Sequence, residues 1–277
     1  MKNLSIAVIT ALTVLFGSAF APAQTAVYKY EVGKPYKYML EFKRDVIQEM
    51  MGETMNITVE GTGSGTYSNT KTLENGNMLM SLTVESALVL VESPQGTQTF
   101  GDALKGKEYR YTIKPNGEIV DRDTTIEMPQ DGSAQLLGEL IGAFRTLDAS
   151  KLKIGESWTR ERADTSGDAD SKMIRSGKSK YEVKGTKEAA ARNCLEISVH
   201  TDMETDGRVS RGGNDLRVTG EETHDGSLLY DPAGGIIIEI NINEKGEQVI
   251  TPVDGGQFKV NVSSSGSRKV EYIPDAK

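Results

Sequence analysis

Only one stretch of this chain carries helical periodicity, and that limits the fold more than any other feature. Between Ala134 and Leu147 the apolar residues Leu136, Leu137, Leu140, Ile141, Phe144 and Leu147 recur at three- and four-residue spacing. This predicts one amphipathic helix over 134–147 with a single buried stripe. Asp131 and Ser133 stand upstream with N-cap oxygens. Everywhere else the apolar residues recur with period two.

Tyr36, Tyr38, Leu40 and Phe42 alternate with Lys37, Glu41 and Lys43, the pattern of a half-buried strand. Met55, Ile57 and Val59 continue it until Gly61, Gly63 and Gly65 remove the side chain at three alternate positions, where a bend or a close approach is expected. Asn75-Gly76 is the strongest hairpin signal, and Met78, Met80, Leu82, Val84, Leu88 and Leu90 follow in a strand that is long or broken at Ser86. Pro94-Gln95-Gly96 turns the chain, Tyr109, Tyr111 and Ile113 form the next strand, and Lys114-Pro115-Asn116-Gly117 leads into Ile119 and Val120.

The order then restarts. Ile154-Gly155-Glu156-Ser157-Trp158 has the form of Val32-Gly33-Lys34-Pro35-Tyr36, and Tyr230 through Ile236 has the form of Ile113 through Ile119. The separations are close, 84 residues from Gly33 to Gly117 and 79 from Gly155 to Gly234. Two signatures in the same order predict an internal duplication with the helix at its seam. In the second half, Trp158, Tyr181 and Val183, Leu195, Ile197 and Val199, and Leu216 and Val218 supply the strands. His224 falls in an apparent turn, Thr223 to Gly226. The run Ile236, Ile238, Ile240, Ile242 is the most apolar strand, with a turn expected at Asn243 to Gly246 before Phe258, Val260, Val262, Val270 and Tyr272. The expected fold is mainly β: a strongly curved antiparallel sheet or partly open barrel from two similar halves, with the helix covering its concave face. Two small barrels in series are the alternative.

Residues 1–23 read as a cleaved signal peptide: Lys2, an apolar core from Leu4 to Phe16, and the small-x-small site Ala21-Pro22-Ala23. The mature chain then begins at Gln24, with a first β half over 24–149 and a second over 150–277. This points to export, to the periplasm or else outside the cell, with no transmembrane segment after cleavage. The formal charge of −8 and the lack of a basic cluster argue against nucleic acid as a partner. Aromatics make up 6% of the chain without recurring girdles, which disfavours a membrane-spanning barrel. Cys194, the single cysteine, lies in an alternating strand as a small core residue.

Chemical motifs are weak. Ser64 has Thr62 and Thr66 where a nucleophile elbow needs glycine, Gly177-Lys178-Ser179 lacks the upstream glycine of a phosphate loop, and two histidines are few for a zinc site. Asp164, Asp168 and Asp170 depart from the order of a calcium loop. No catalytic residue, metal or cofactor is therefore assigned. The compositional oddity is methionine: Met39, Met50, Met51, Met55, Met78 and Met80 fall in the first half. Soft, adaptable thioethers suit an apolar pocket or ordinary core filling, and less readily Cu(I).

Met51-Gly52-Glu53, the Ser93-Pro94-Gln95-Gly96 turn, the strand-turn-strand from Lys107 to Val120, the amphipathic helix and Ile154-Gly155-Glu156-Ser157-Trp158 together resemble an uncharacterised family of exported bacterial β-rich proteins, a domain of unknown function. The resemblance implies bacterial export and supports the architecture. In layout the chain is more loosely similar to the periplasmic lipoprotein carriers. The expected function is non-enzymatic: a binding module sheltering an apolar or lipid-like ligand between sheet and helix, with Met55, Met78, Met80, Leu137, Ile141 and Phe144 as ligand-binding candidates. The alternative is a structural or assembly module that meets another envelope protein through its surface.

Overall fold

The computed structural model describes residues 27–122, 129, 131–167, 171–211, 214–253 and 258–274. The first half contributes β1 (Pro35–Met50), β2 (Glu53–Thr72), β3 (Met78–Ser93), β4 (Gly96–Phe100), β5 (Glu108–Ile113) and β6 (Ile119–Arg122). After α1 (Ser133–Ile141) come β7 (Ser157–Gly167), β8 (Lys172–Ala189), β9 (Arg192–Arg211), β10 (Asn214–Asp231), β11 (Ile236–Pro252) and β12 (Val260–Ile273). All twelve strands join one antiparallel sheet in the order β6-β5-β3-β2-β1-β12-β11-β10-β9-β8-β7, with β4 on the lower part of β3. The sheet is an open bow: β6 and β7 end its path and do not pair.

The alternation seen in the sequence sets the faces. Along β1, Tyr36, Tyr38, Leu40 and Phe42 are buried on the concave side, and Lys37, Met39, Glu41 and Lys43 face outward. Cross-strand partners share a face, so the pairs Phe42 with Gly61, Leu40 with Gly63 and Tyr38 with Gly65 put the three glycines on that same concave side. The close approach expected there is real. A Cβ at Gly61 would overlap the Phe42 ring, and one at Gly63 would stand 3.1 Å from Leu136 of α1. The helix therefore lies inside the bow and packs down onto backbone. The strand β3 runs unbroken through Ser86, and the irregularity is a bulge at Glu85, since Ser64 pairs with Ser86 but Gly65 with Val84.

The helix is shorter than expected, nine residues ending at Gly142 rather than a run to Leu147. The N-cap position is Gly132, without a side-chain cap; Asp131, one residue earlier, accepts the Ser133 N–H on its Oδ1 at 2.9 Å. Gly142 weakens helix propagation, and the chain turns there, with Phe144 and Leu147 still buried. Residues 27–32, which offer no regular element, close the upper end of the bow. The Tyr28 hydroxyl donates to the Arg145 carbonyl at 2.7 Å, Asn69 Nδ2 donates to the Tyr30 carbonyl at 2.8 Å, and the Lys29 N–H donates to the Gly235 carbonyl at 3.0 Å. These hydrogen bonds tie β2 and the β10–β11 turn to the segment that follows α1.

Two expectations are corrected. Asn243 to Gly246 is not a turn: β11 passes straight through, each residue paired on both sides, and the reversal lies beyond Pro252. Asn and Gly there serve flat packing, since the Glu222 side chain lies over Gly246. His224 likewise stands in mid-strand on β10 opposite Glu244. The two halves enter their first long strands through matching turns. Gly33 and Gly155 both have left-handed φ, 79° and 86°, and donate to carbonyls of β2 (Asn69) and of β8 (Val183). The second signature matches less well, with the left-handed residue at Gly117 in one half and one place later, at Gly235, in the other. The expected signal peptide, residues 1–23, lies outside the described residues.

Candidate functional site

None of the six ligand-binding candidates lines one of the grooves found on the outward face among the described residues. Met78, Met80, Leu137, Ile141 and Phe144 are buried together in the core, and Leu136, Leu140, Tyr67 and Leu82 fill the remaining space. Phe144 is the hub, its ring centroid 5.4 Å from those of Tyr30 and Tyr67, 5.7 Å from Tyr28 and 6.1 Å from Tyr111. Hydroxyls satisfy the carbonyls they meet: Tyr67 donates to Leu140 O at 2.6 Å and Tyr38 to Ile237 O at 2.9 Å. Burial holds both phenols above their ordinary pKa. The apolar stripe of α1 packs against β2 and β3, with Leu136, Leu137 and Leu140 fully buried. The methionines do not gather either: Met39 faces outward, and Met51 at the β1–β2 tip is 84% exposed.

Met55 alone lies elsewhere, half-buried on the lower concave face beyond the end of the helix. This region is a second environment. On β1 to β3, Val46, Met55, Ile57, Val59 and Val91 form a half-buried apolar wall. On β10 to β12 and the near part of β1 the same face is charged. Arg44 Nε donates to Glu244 Oε1 at 2.6 Å, and Glu222 lies 3.6 Å from His224 and is held below the usual carboxylate range chiefly by that histidine. The concave face thus offers an apolar wall and a charged wall on one bowed surface.

Where the two environments meet, positive charge is in excess. Arg268, on β12 opposite Phe42, forms an ion pair with Glu139 of α1, and its Nε is buried without a hydrogen-bond partner. Arg145 follows the helix as a half-buried residue, and its guanidinium has no hydrogen bond or ion pair among the described residues. Burial, and next the like charge of Arg268, push its pKa down to about 10; Glu139, Tyr181 and Arg162 are within electrostatic reach. On the edge strand β7, Trp158 stacks on Tyr181 with centroids 4.9 Å apart, and its Nε1 is also buried without a partner. Arg162 is paired with Asp164. One carboxylate, Glu139, faces both Arg145 and Arg268.

The sequence held a signal for these residues. Arg44 continues the register of Tyr36, Tyr38, Leu40 and Phe42, and Arg268 that of Val270 and Tyr272, so each is an arginine at a position patterned for the interior. Arg145 had no such mark, because it lies past the helix end. Among the described residues the outward face carries shallow grooves, including ones of about 410, 390 and 460 Å³. The first has side-chain walls at Glu41, Lys43, Leu88 and Leu90. His200 is also on this face, bonded to Asp225 at 2.6 Å. Among the described residues no group of three or more His, Cys, Asp or Glu is placed to hold a metal ion; Asp168 and Asp170 lie outside them.

The fold and this region define an open antiparallel half-barrel with a plugged upper end and a polar, arginine-bearing lower concave face. No protein-family model and no curated protein matches the chain. Among solved structures it is similar to OccK5 (OpdH) of Pseudomonas aeruginosa, at 8% identity over 89% of this chain and 100% of that one, with a TM-score of 0.30. It is also similar to a mutant of the Rh. blastica porin, at 11% identity over 86% of this chain and 100% of that one, with a TM-score of 0.25. At these scores neither likeness bears on fold or function. No helix among the described residues is long and apolar enough to cross a membrane.

Proposed function

We propose that this chain is an exported, non-enzymatic module of the cell envelope that shelters an amphiphilic, lipid-like ligand on the lower concave face of its half-barrel. The proposed ligand site lies on the face beyond the helix, since five of the six candidates read from the sequence are buried in the core beside it. The observation that carries the reading is the division of that face into an apolar wall around Val46, Ile57 and Val59 and a charged wall around Arg44, Glu244 and Glu222. A ligand with an apolar part and a charged part satisfies both walls at once, whereas a purely apolar one would strand the ions. Export rests on the signal-like residues 1–23.

Delipidated protein soaked with a lipid extract and examined by native mass spectrometry should retain amphiphile adducts, and Ile57→Glu should lose them. Uniformly bare protein would remove the reading. A second one, a surface-acting assembly module, is favoured by the outward groove beside Leu88 and Leu90; it predicts crosslinks to another envelope protein that Leu88→Glu abolishes.

A further inference from the structure

Below the charged wall the concave face turns apolar again. Met50 of β1 stands directly opposite Val260 of β12, Val260 opposite Ile250 of β11, and Ile250 opposite Val218 of β10. Met173 of β8 extends the row, its sulfur lying where a Cβ on Gly207 of β9 would stand. Directly opposite residues bring their Cβ atoms to about 4.5–5.5 Å, so the row is continuous. The helix does not reach it: α1 touches β2 at Gly63, opposite Leu40, and Met50 lies ten residues further along β1, about 33 Å at strand rise.

The strand ends that carry this row close in exposed apolar residues. The β1–β2 reversal is Met51-Gly52, with left-handed φ of 54° and 87°, between the paired Met50 and Glu53. Two-residue loops of this form favour Asn or Asp before the glycine. Here that place holds a Met that is 84% exposed, beside a Met50 that is 46% exposed. Val253, just past β11, and Ile47, on the outward side of β1, are exposed as well. Apolar groups therefore occupy the tip and both faces of one edge. A protein docking on a sheet covers one face, whereas a lipid layer entered edge-on takes both. The charges narrow the lipid: Asp45, Glu49 and Glu53 stand near the tip, and no Lys or Arg occurs between Arg44 and Lys71, so anionic head groups would be repelled.

We propose that this lower edge dips into the surface of a zwitterionic phospholipid membrane, with Met51 deepest. Flexible thioethers suit a disordered acyl boundary, and side chains of this kind bury about 5–10 Å into it. The edge stops there, because the rows above carry Arg44, Glu244 and Glu222, which hydrocarbon excludes. The apolar wall begins beside Met50, with Met55 opposite Gln48 and Ile57 opposite Val46, so an amphiphile leaving the membrane passes from the edge onto the wall. The inference goes beyond the ligand reading and stands without it.

The mature chain, from Gln24 onward and so without the apolar residues 1–23, is floated on a density gradient with phosphatidylcholine vesicles, alone and mixed with phosphatidylglycerol, at low and high salt. Wild type is compared with Met51→Asn and with Val32→Asn, a control at the opposite end of β1 where Val32 is 61% exposed. Wild type should float with phosphatidylcholine at either salt, Met51→Asn about tenfold more weakly, and Val32→Asn as the wild type does. Asn suits the left-handed position, so Met51→Asn should also melt higher, which checks that it folds. Met51→Trp should move its emission to the blue on the vesicles, while wild type, with Trp158 alone, should not change. Failure to float with either vesicle would overturn the proposal, as would Met51→Asn floating like the wild type. Flotation that needs phosphatidylglycerol and vanishes in salt would overturn it too. Self-association that Met51→Asn dissolves, without flotation, would assign the edge to a contact between copies and sink the membrane reading. Lipid adducts in the soaked protein test the ligand reading by itself, so the two can fail separately.

Discussion

The upper and lower halves of the bow are built from the same strands yet hold together by different means. Above, β1 to β3, β5 and β8 to β12 turn Tyr, Leu, Ile or Met inward toward the helix and the 27–32 segment, and the result is a two-layer core. Below, the same registers continue with Arg44, Glu244, His224 and Thr201, and the sheet is a single layer with polar groups on both faces. Burial of apolar area falls away while strand hydrogen bonding persists, so the lower half depends on the ladder and on ion pairs. A strand can be long because one end of it is anchored.

The sharpest way to break this comparison is to cut equally into both halves. Phe144→Ala removes the ring at the aromatic hub and should cost about 3–5 kcal/mol in chemical denaturation, whereas Ile57→Ala on the lower wall should cost about 1 kcal/mol or less. Similar losses would mean that the lower half has a core of its own.

Asp231 gives the next effect. It is buried at the upper end of β10, where its Oδ1 accepts the Ala233 N–H at 2.9 Å and its Oδ2 takes Arg192 Nη1 at 2.6 Å. Burial raises its pKa, but the backbone N–H groups and Arg192 outweigh that and leave it below the ordinary value. Its stabilisation is therefore complete above the unfolded pKa of about 4 and is lost as pH falls through the lower folded value. Asp231→Asn should cost about 1–3 kcal/mol at neutral pH, and denaturation at acid pH should show the gap from wild type closing.

On the lower face, Arg44→Ala orphans Glu244 in a pair that is part-buried, with side chains 26% and 12% exposed. The expected loss is about 1–2 kcal/mol, below that of a fully buried pair because solvent shares the charge. Outside, Lys43 pairs with Glu60 at 2.7 Å in open solvent. Lys43→Ala should leave the unfolding midpoint unmoved, and a clear shift there would show that the outward ion pairs support the single layer after all.

The upper half was the legible one. Strands with one apolar face announce themselves by alternation, as Tyr36 to Phe42 and Ile236 to Ile242 do, and the α1 stripe is clear from Leu136 to Ile141, though its spacing overran the helix end. The lower half was harder because period two needs contrast. Asn243 to Gly246 and Thr223 to Gly226 are polar on both faces and rich in turn formers, so they read as reversals although both are paired strand. What decides them is the neighbouring strand, which a single sequence does not display. Five of the six apolar candidates are core residues and Met55 alone is on the open face; Arg44 and Arg268, which break the apolar register, are the better guides to that face.

The pairing of β1 with β12 has a consequence for how the molecule assembles. Each arm, β1 to β6 and β7 to β12, is a run of neighbours in sequence and can zip up through local hairpins. The seam between the arms joins Tyr38 to Tyr272 and Leu40 to Val270, positions more than two hundred residues apart. Closing so long a loop is slow, so the step that unites the bow should come late and set the pace of folding, with the two arms already formed and waiting on either side.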